Sequence, residues 1–174
     1  RMIHNQKGHV PEENYVVPFG KARILESGTD ITMVGISYMA VECLRAQNQL
    51  KEVGINAEVI DPVSLSPMDY DSIIESVRKT GRLLVVDAAW TSCGASAEIV
   101  ARISEALQRD KRIETGRMGF EPVVCPTTKN LENLYYPTSQ SIASEAYSLV
   151  HDGAKNWEPE PGQAPEIVEF KGPF

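Results

Sequence analysis

The sequence contains no long apolar run, and no segment reaches the roughly 18 residues that a membrane-spanning helix needs. Its opening residues, RMIHNQ, also lack the apolar core of a secretory signal peptide. We therefore expect a soluble protein with no membrane partner. The first residue is Arg1 rather than methionine, so we expect the protein to continue upstream.

Cysteine and histidine are scarce, with three of each in 174 residues. The cysteines, Cys43, Cys93 and Cys125, lie far apart without a C-x-x-C pair, and the histidines fall near the two ends. This spacing predicts neither a zinc site nor a redox dithiol, so we expect free thiols. The sequence also lacks the G-x-S-x-G motif, and it therefore predicts no hydrolase triad.

Positive charge is in deficit, with 17 Lys and Arg residues against 24 Asp and Glu residues and a formal net charge of −7. Nucleic-acid binding needs a basic face that displaces counterions, so we expect no nucleic-acid partner. The hydrophobic content of 42% and the length of 174 residues are typical of one globular domain.

Strand-length apolar runs alternate with amphipathic segments along the chain. The predicted strands cover residues 22–26, 30–37, 56–60, 82–87 and 112–118. The predicted helices cover residues 39–53, a segment that opens at 66–69 and ends before Gly81, residues 95–109, and residues 139–151. Right-handed crossovers join such elements. We therefore predict an α/β fold of three layers (α/β/α), with a mostly parallel five-stranded sheet and one antiparallel edge strand.

The two ends of the chain differ from its centre. Residues 1–20 are predicted to be a linker from an upstream domain, residues 21–152 the α/β domain, and residues 153–174 a Pro-rich acidic tail. Residues 119–137 contain three prolines and are predicted to be irregular. For the tail two interpretations stay open: Trp157 is a docking anchor or part of a disordered end, and residues 167–170 add a strand or dock on a partner. We expect the aromatic pair Tyr135 and Tyr136 to be packed on the sheet rather than to form a recognition surface.

Three loops are predicted at the carboxyl ends of the strands, where open α/β sheets bind ligands: residues 37–39, 61–64 and 87–94. The third is the candidate ligand or interface loop, with candidate residues Asp87, Trp90, Thr91, Ser92, Cys93 and Gly94. A helix beginning near Gly94 has free N–H groups, which makes a free-standing module for a small anion or a nucleotide one hypothesis. The other interpretation is a turn that packs against a neighbouring subunit. No G-x-G-x-x-G motif opens this helix, and no histidine lies near Cys93 in sequence.

An ordered set of short motifs resembles one known family. The motifs are VPFGKA at 17–22, GTDITMV at 28–34, GINAEVID at 54–61, SLSPMD at 64–69, SVRKTGRLL at 76–84, GASAEI at 94–99, and the pair Leu131-Glu132 followed by Tyr136-Pro137. In this order they are similar to the transketolase C-terminal domain. The version they resemble is that of the β subunits of thiamine-diphosphate-dependent 2-oxoacid dehydrogenases, of the pyruvate and branched-chain types. The resemblance covers about residues 10–151.

The resemblance implies a domain that supports assembly rather than chemistry. In such enzymes other domains hold thiamine diphosphate and Mg²⁺, so we expect neither to be bound by this domain, although both belong to the parent enzyme. The implied partners are those of a homodimer or an α/β heterotetramer, and in some complexes the acyltransferase core. The implied location is the bacterial cytoplasm or, in a eukaryote, the mitochondrial matrix. We carry over no catalytic residue, and whether the isolated chain is an enzyme stays open.

The chain departs from the family pattern at the candidate loop. The family usually has acidic or His-Glu residues after the third strand and then a Gly-Gly turn, whereas this chain reads DAAWTSCG from Asp87 to Gly94. This difference leaves the substrate open. The C-terminal part of a transketolase or of a deoxyxylulose-phosphate synthase therefore remains a further alternative.

Overall fold

The inner strands of the sheet are apolar on both faces, as strands covered by helices on two sides require. The structure, a computed structural model, describes residues 12–110 and 112–160. Five strands form one sheet: β1 (Arg23–Glu26), β2 (Ile31–Gly35), β3 (Ala57–Asp61), β4 (Arg82–Trp90) and β5 (Glu114–Phe120). Every residue of β2 is buried, which places this strand in the middle of the core.

The strand order in the sheet is β1-β3-β2-β4-β5. Strands β3, β2, β4 and β5 run parallel, whereas β1 pairs antiparallel with β3 at the edge. The register places Val34 of β2 opposite Ile60 of β3 on one side and opposite Val85 of β4 on the other. The predicted fold, a mostly parallel five-stranded sheet with one antiparallel edge strand, is confirmed.

Helices cover both faces of the sheet and divide the core in two. They are α1 (Met39–Glu52), α2 (Tyr70–Thr80), α3 (Ala95–Leu107), the short α4 (Lys129–Tyr135) and α5 (Ser139–Val150). Successive residues of β2 point to opposite faces, so Met33 packs with α1 and α5 while Val34 packs with α2 and α3. Each fully buried Leu or Ile side chain contributes about 1.5–3 kcal/mol.

The helix ends follow the signals in the sequence. Gly81 ends α2 with a φ angle of 76°, and Gly54 follows α1 with a φ angle of 78°, as expected for glycine after a helix. Thr138 begins α5 through a capping box with Ser141, one residue before the predicted start of this helix.

Two features differ from the sequence-based expectations. The fourth strand continues to Trp90 rather than ending at Asp87, because its last residues still pair with β5, as Trp90 does with Phe120. Residues 119–137, predicted to be irregular, contain the seven-residue helix α4. Tyr135 at the end of α4 is buried against Phe120, and this contact stabilises the short helix. Helix propensities depend on residues that are close in sequence, so they do not predict such a contact. Residues 167–170 lie outside the described residues.

Two buried polar clusters join α2 to the inner strands. Thr32 of β2 shares hydrogen bonds with the hydroxyls of Ser76 and Thr80, at 2.7 and 2.8 Å. Glu58 of β3 accepts from the Lys79 ammonium and from the backbone N–H of Gly28. Burial alone would raise the pKa of Glu58, but the hydrogen bonds from Lys79, Ser76 and Gly28 outweigh it and hold this pKa below its ordinary value. Paired in this way, the buried carboxylate does not oppose folding.

Asp69 fastens the beginning of the domain to α2. Its carboxylate accepts from the backbone N–H of Ala22 at 3.0 Å, and from the backbone N–H and the hydroxyl of Ser72. Asp69 is therefore both the N-cap of α2 and an anchor for the segment that enters β1. Burial would raise its pKa, but these hydrogen bonds outweigh burial and lower it.

We expect Asp69→Ala to lower the free energy of unfolding by about 1–3 kcal/mol at neutral pH, because it removes a cap and leaves the Ala22 N–H without its acceptor. The folded-state pKa of Asp69 is lower than its unfolded-state pKa. The stability that the Asp69 carboxylate contributes is therefore fully present above the unfolded-state pKa and is lost as the pH falls through the folded-state pKa. Urea unfolding across this pH range measures the effect. Asp71→Ala, in the exposed first turn of α2, is the matched control and should change stability by less than about 0.5 kcal/mol. Equal losses for both variants would contradict the anchoring role.

Candidate ligand and interface site at the carboxyl edge of the sheet

The strand order creates a crevice at the carboxyl ends of β2 and β4. From β2 the chain crosses to β3 on one side, and from β3 it crosses back to β4 on the other side of β2. Ligands of open α/β sheets bind where connections diverge in this way. The candidate loop after β4 and the predicted loop 37–39 after β2 therefore flank the position where a site is expected.

The three loops at this edge share a strained backbone. Ser37 after β2, Val63 after β3 and Cys93 after β4 have φ angles of 59°, 61° and 58°. A left-handed conformation costs a residue with a side chain about 1–2 kcal/mol, and such residues concentrate at functional sites. The surrounding fold thus holds all three loops in shapes that their sequences alone disfavour.

Asp87 is a buried carboxylate near the end of β4, with 6% of its surface exposed. Burial raises its pKa above the ordinary value, and a hydrogen bond from the backbone N–H of Ala88 offsets only part of this effect. No ion pair to Asp87 exists within residues 12–110 and 112–160. Asp87 therefore differs from Glu58, whose buried charge is compensated by a lysine.

The rest of the candidate loop forms a short turn between strand and helix. Trp90 is the last residue of β4, and its side chain is 55% exposed. The carbonyl of Thr91 accepts from the Arg117 guanidinium at 2.7 Å, which ties the turn to β5. Ser92 and Cys93 are exposed at its tip. The turn therefore presents an aromatic ring and small polar groups to the exterior.

Gly94 is the N-cap of α3, and its backbone is tightly packed. A Cβ atom at this position would lie 2.3 Å from the carbonyl oxygen of Trp90, so no other residue fits without movement of the backbone. Next to it, the Ser96 hydroxyl is fully buried and has no hydrogen-bond partner in the described structure. Close packing therefore explains why glycine occupies this position, and no bound ligand is needed to explain it. When it is ionised, the carboxylate of Asp87 on β4 disfavours the binding of an anion nearby.

A second polar cluster at this edge has no motif in the sequence. Glu42 of α1 accepts from the Arg45 guanidinium and from the backbone N–H of Ser139, the first residue of α5, the latter at 3.0 Å. Arg45 also donates to the hydroxyl of Tyr38 at 3.0 Å. Burial raises the pKa of Tyr38. The carboxylate thus stabilises the N-terminus of α5 and joins two helices that are far apart in sequence.

The aromatic residues after β5 are packed as expected. The rings of Phe120, Tyr135 and Tyr136 lie 4.9–5.0 Å apart in mutual contact. Trp157 is half-buried, with its ring 5.0 Å from that of Tyr147. Neither aromatic group therefore stands free in the exterior.

Exposed apolar side chains follow the carboxyl ends of three parallel strands. We call them the carboxyl-edge patch: Val63 and Leu65 after β3, Trp90 at the end of β4, and Val123, Val124, Leu131 and Leu134 after β5. Large apolar side chains exposed together on one part of a surface indicate a contact with another protein or domain. One patch residue, Trp90, follows the buried Asp87 by three positions on β4.

In residues 12–110 and 112–160 no three His, Cys, Asp or Glu side chains come together as metal ligands. Among the helices of the same residues, none has the length and apolar character to cross a bilayer.

The chain matches the family model of the transketolase C-terminal domain over residues 20–142. It is 37% identical over 158 residues to the β subunit of acetoin:2,6-dichlorophenolindophenol oxidoreductase from Bacillus subtilis, a match that covers 88% of this chain and 45% of the relative. It is 33% identical over 146 residues to the β subunit of the pyruvate dehydrogenase E1 component from Staphylococcus aureus, which covers 84% of this chain and 45% of that relative.

The solved structure of a split-gene transketolase, described as an inactive β4 tetramer, aligns with a TM-score of 0.70 and 23% identity. The alignment covers 86% of this chain and 48% of that one, and it supports the fold alone. The chain belongs to the transketolase C-terminal domain family. Within this family it matches β subunits of dehydrogenases, and it spans less than half the length of those curated relatives.

We expect Asp87→Asn to raise the free energy of unfolding at neutral pH. The folded-state pKa of Asp87 is raised, so the folded protein loses stability as the pH rises from the ordinary aspartate pKa through the folded-state pKa. Asparagine does not ionise, so the variant does not lose this stability. The gain should be largest at about pH 7 and disappear near about pH 3, below both pKa values. Urea unfolding at both pH values measures it. A variant that is less stable than the wild type at neutral pH would show that the carboxylate is compensated by a group other than Ala88.

Proposed function

We propose that this chain is the C-terminal part of the β subunit of a thiamine-diphosphate-dependent dehydrogenase that acts on a 2-oxoacid or on acetoin, and that its role is assembly. The observation that carries the proposal is the carboxyl-edge patch in a domain of this family. The two relatives named above are β subunits, and by their names one acts on acetoin and the other on pyruvate. A subunit of this kind contacts partner chains, and the buried centre of an interface is more apolar than the rest of a protein surface.

The patch has the composition of an interface. Trp90 supplies a large aromatic side chain, which is the residue type that most often dominates binding energy at the centre of an interface. Val124 and Leu134 are 89% and 74% exposed, so their burial against another surface would remove most of their apolar area from water. We propose that the patch contacts a second copy, as in a homodimer, or the subunits of an α/β heterotetramer. The acyltransferase core remains a further candidate partner.

We propose that thiamine diphosphate and Mg²⁺ are bound by other parts of the parent enzyme. Mg²⁺ prefers a set of carboxylate and carbonyl oxygens, and the described residues contain no cluster of acidic side chains that fits it. The parent enzyme would be cytoplasmic in a bacterium.

We expect the chain to form dimers or larger assemblies at micromolar concentration, measured by sedimentation. Val124→Asp should raise the dissociation constant at least about tenfold, because it introduces a charge into an apolar contact. Val53→Asp is the matched control: it replaces the same residue type at the end of α1, and α1 begins at the carboxyl edge and ends at the opposite edge of the sheet. A wild-type chain that remains monomeric at tens of micromolar, or equal effects of the two variants, would contradict a role of the patch in assembly.

We expect the chain not to bind thiamine diphosphate and Mg²⁺ with micromolar affinity in a calorimetric titration. The physical reason is that the described residues form no cluster of acidic ligands that could hold the metal ion. Heat of binding that saturates at micromolar cofactor would overturn the proposal that the cofactor lies elsewhere in the parent enzyme.

A further inference from the structure

The segment after α5 turns back along that helix. Asp152 and Gly153 have φ angles of 53° and 91°, which reverse the direction of the chain. The Trp157 ring then packs against Tyr147 in the second half of α5, and the Gln140 amide donates to the carbonyl of Glu160 near the beginning of the helix. Residues 154–160, which we call the returning segment, therefore run antiparallel to α5.

A cavity of about 620 Å³ lies between the returning segment and α5. This volume is within the range of small-molecule sites, about 300–1,000 Å³. The side chains that give the cavity its chemistry are Ser144, Glu145, Ser148, Lys155, Trp157 and Glu158. Met118 of β5 adds an apolar wall. None of these residues belongs to the candidate loop or to the carboxyl-edge patch, so the cavity is separate from the proposed interface.

Charged groups of both signs line this cavity without partners. Within the described residues, Glu145, Lys155 and Glu158 form no ion pair and no side-chain hydrogen bond. The ammonium of Lys155 thus makes a direct ion pair with neither carboxylate, and Lys155 and Glu158 are exposed at the mouth of the cavity. The hydroxyls of Ser144 and Ser148 are also available, and Ser148 is almost fully buried.

This combination of groups selects the charge of a ligand. A simple anion would meet two carboxylates, and a simple cation would leave the ammonium of Lys155 without a partner. A small zwitterion satisfies both signs: its carboxylate pairs with the ammonium of Lys155, and its ammonium pairs with Glu145. The indole of Trp157 offers a face that attracts cations, and together with Met118 it forms an apolar wall.

We propose that this cavity binds a free α-amino acid with an apolar side chain. Because Glu145 belongs to α5 and Lys155 to the returning segment, the bound amino acid would bridge the two. Binding would therefore hold the returning segment on the helix and stabilise the folded chain by mass action.

The experiment is an isothermal titration of the full chain with phenylalanine, phenethylamine and hydrocinnamate. The amine lacks the carboxylate and the acid lacks the ammonium, while the apolar part is the same in all three. We expect phenylalanine to bind and each of the other two to bind at least about tenfold more weakly, because each loses one charge-assisted contact. Equal binding of the three compounds, or no binding of phenylalanine at concentrations on the order of 10 mM, would overturn the proposal.

Two variants with matched controls assign the contacts. Lys155→Gln should weaken the binding of phenylalanine at least about tenfold but should not weaken that of phenethylamine, and Glu145→Gln should weaken the binding of phenylalanine but not that of hydrocinnamate. Lys51→Gln at the end of α1 and Glu105→Gln on the exposed surface of α3 are the controls, and they should bind like the wild type. The circular dichroism spectrum of each variant verifies its folding. Folded cavity variants that bind phenylalanine as tightly as the controls do would overturn the proposed site. Sedimentation of the same samples measures their oligomeric state, so a failure of the amino-acid site can be distinguished from a failure of the proposed role in assembly.

Discussion

The structure depends on the position of β2 between β3 and β4. Ladder hydrogen bonds satisfy both edges of this strand, and helices cover both of its faces, so all five of its residues are buried. At its end the N–H of Ile36 continues the ladder by donating to the carbonyl of Val86 at 2.9 Å. A Cβ atom at Gly35 would lie 2.5 Å from the Cα atom of Ala40, so α1 can begin this close to the strand only after a glycine. The crevice at the carboxyl edge is a direct result of this arrangement.

The buried polar side chains differ in how fully the domain itself supplies their hydrogen-bond partners. Thr32, Glu58 and Asp69 each have several partners within the domain, and for Glu58 and Asp69 these partners lower the pKa. Asp87 has a single backbone donor and a raised pKa. An uncompensated buried carboxylate opposes folding, and proteins retain such groups mainly where function requires them. This contrast distinguishes the carboxyl edge from the rest of the core.

The features that follow from local pattern could be predicted from the sequence, and those that follow from distant contacts could not. The alternation of apolar runs predicts the five strands and the long helices, while Gly54, Gly81 and Thr138 mark helix ends. The position of the candidate loop can be predicted because the carboxyl ends of parallel strands meet at one edge, although β4 continues to Trp90 through its pairing with β5. In contrast, α4 depends on the burial of Tyr135, and the hydrogen bond from Ser139 to Glu42 spans 97 positions of sequence. Neither has a signal within a short window of residues.

The antiparallel edge strand β1 has a consequence for how the sheet meets other molecules. It is four residues long, and its register with β3 is interrupted between Ile24 and Glu26. A short, irregular edge is a poor template for an incoming strand, which is how natural sheets avoid uncontrolled growth and fibre formation. The β1 edge is thus protected from accidental pairing, and a specific partner would have to recognise side chains rather than open backbone groups.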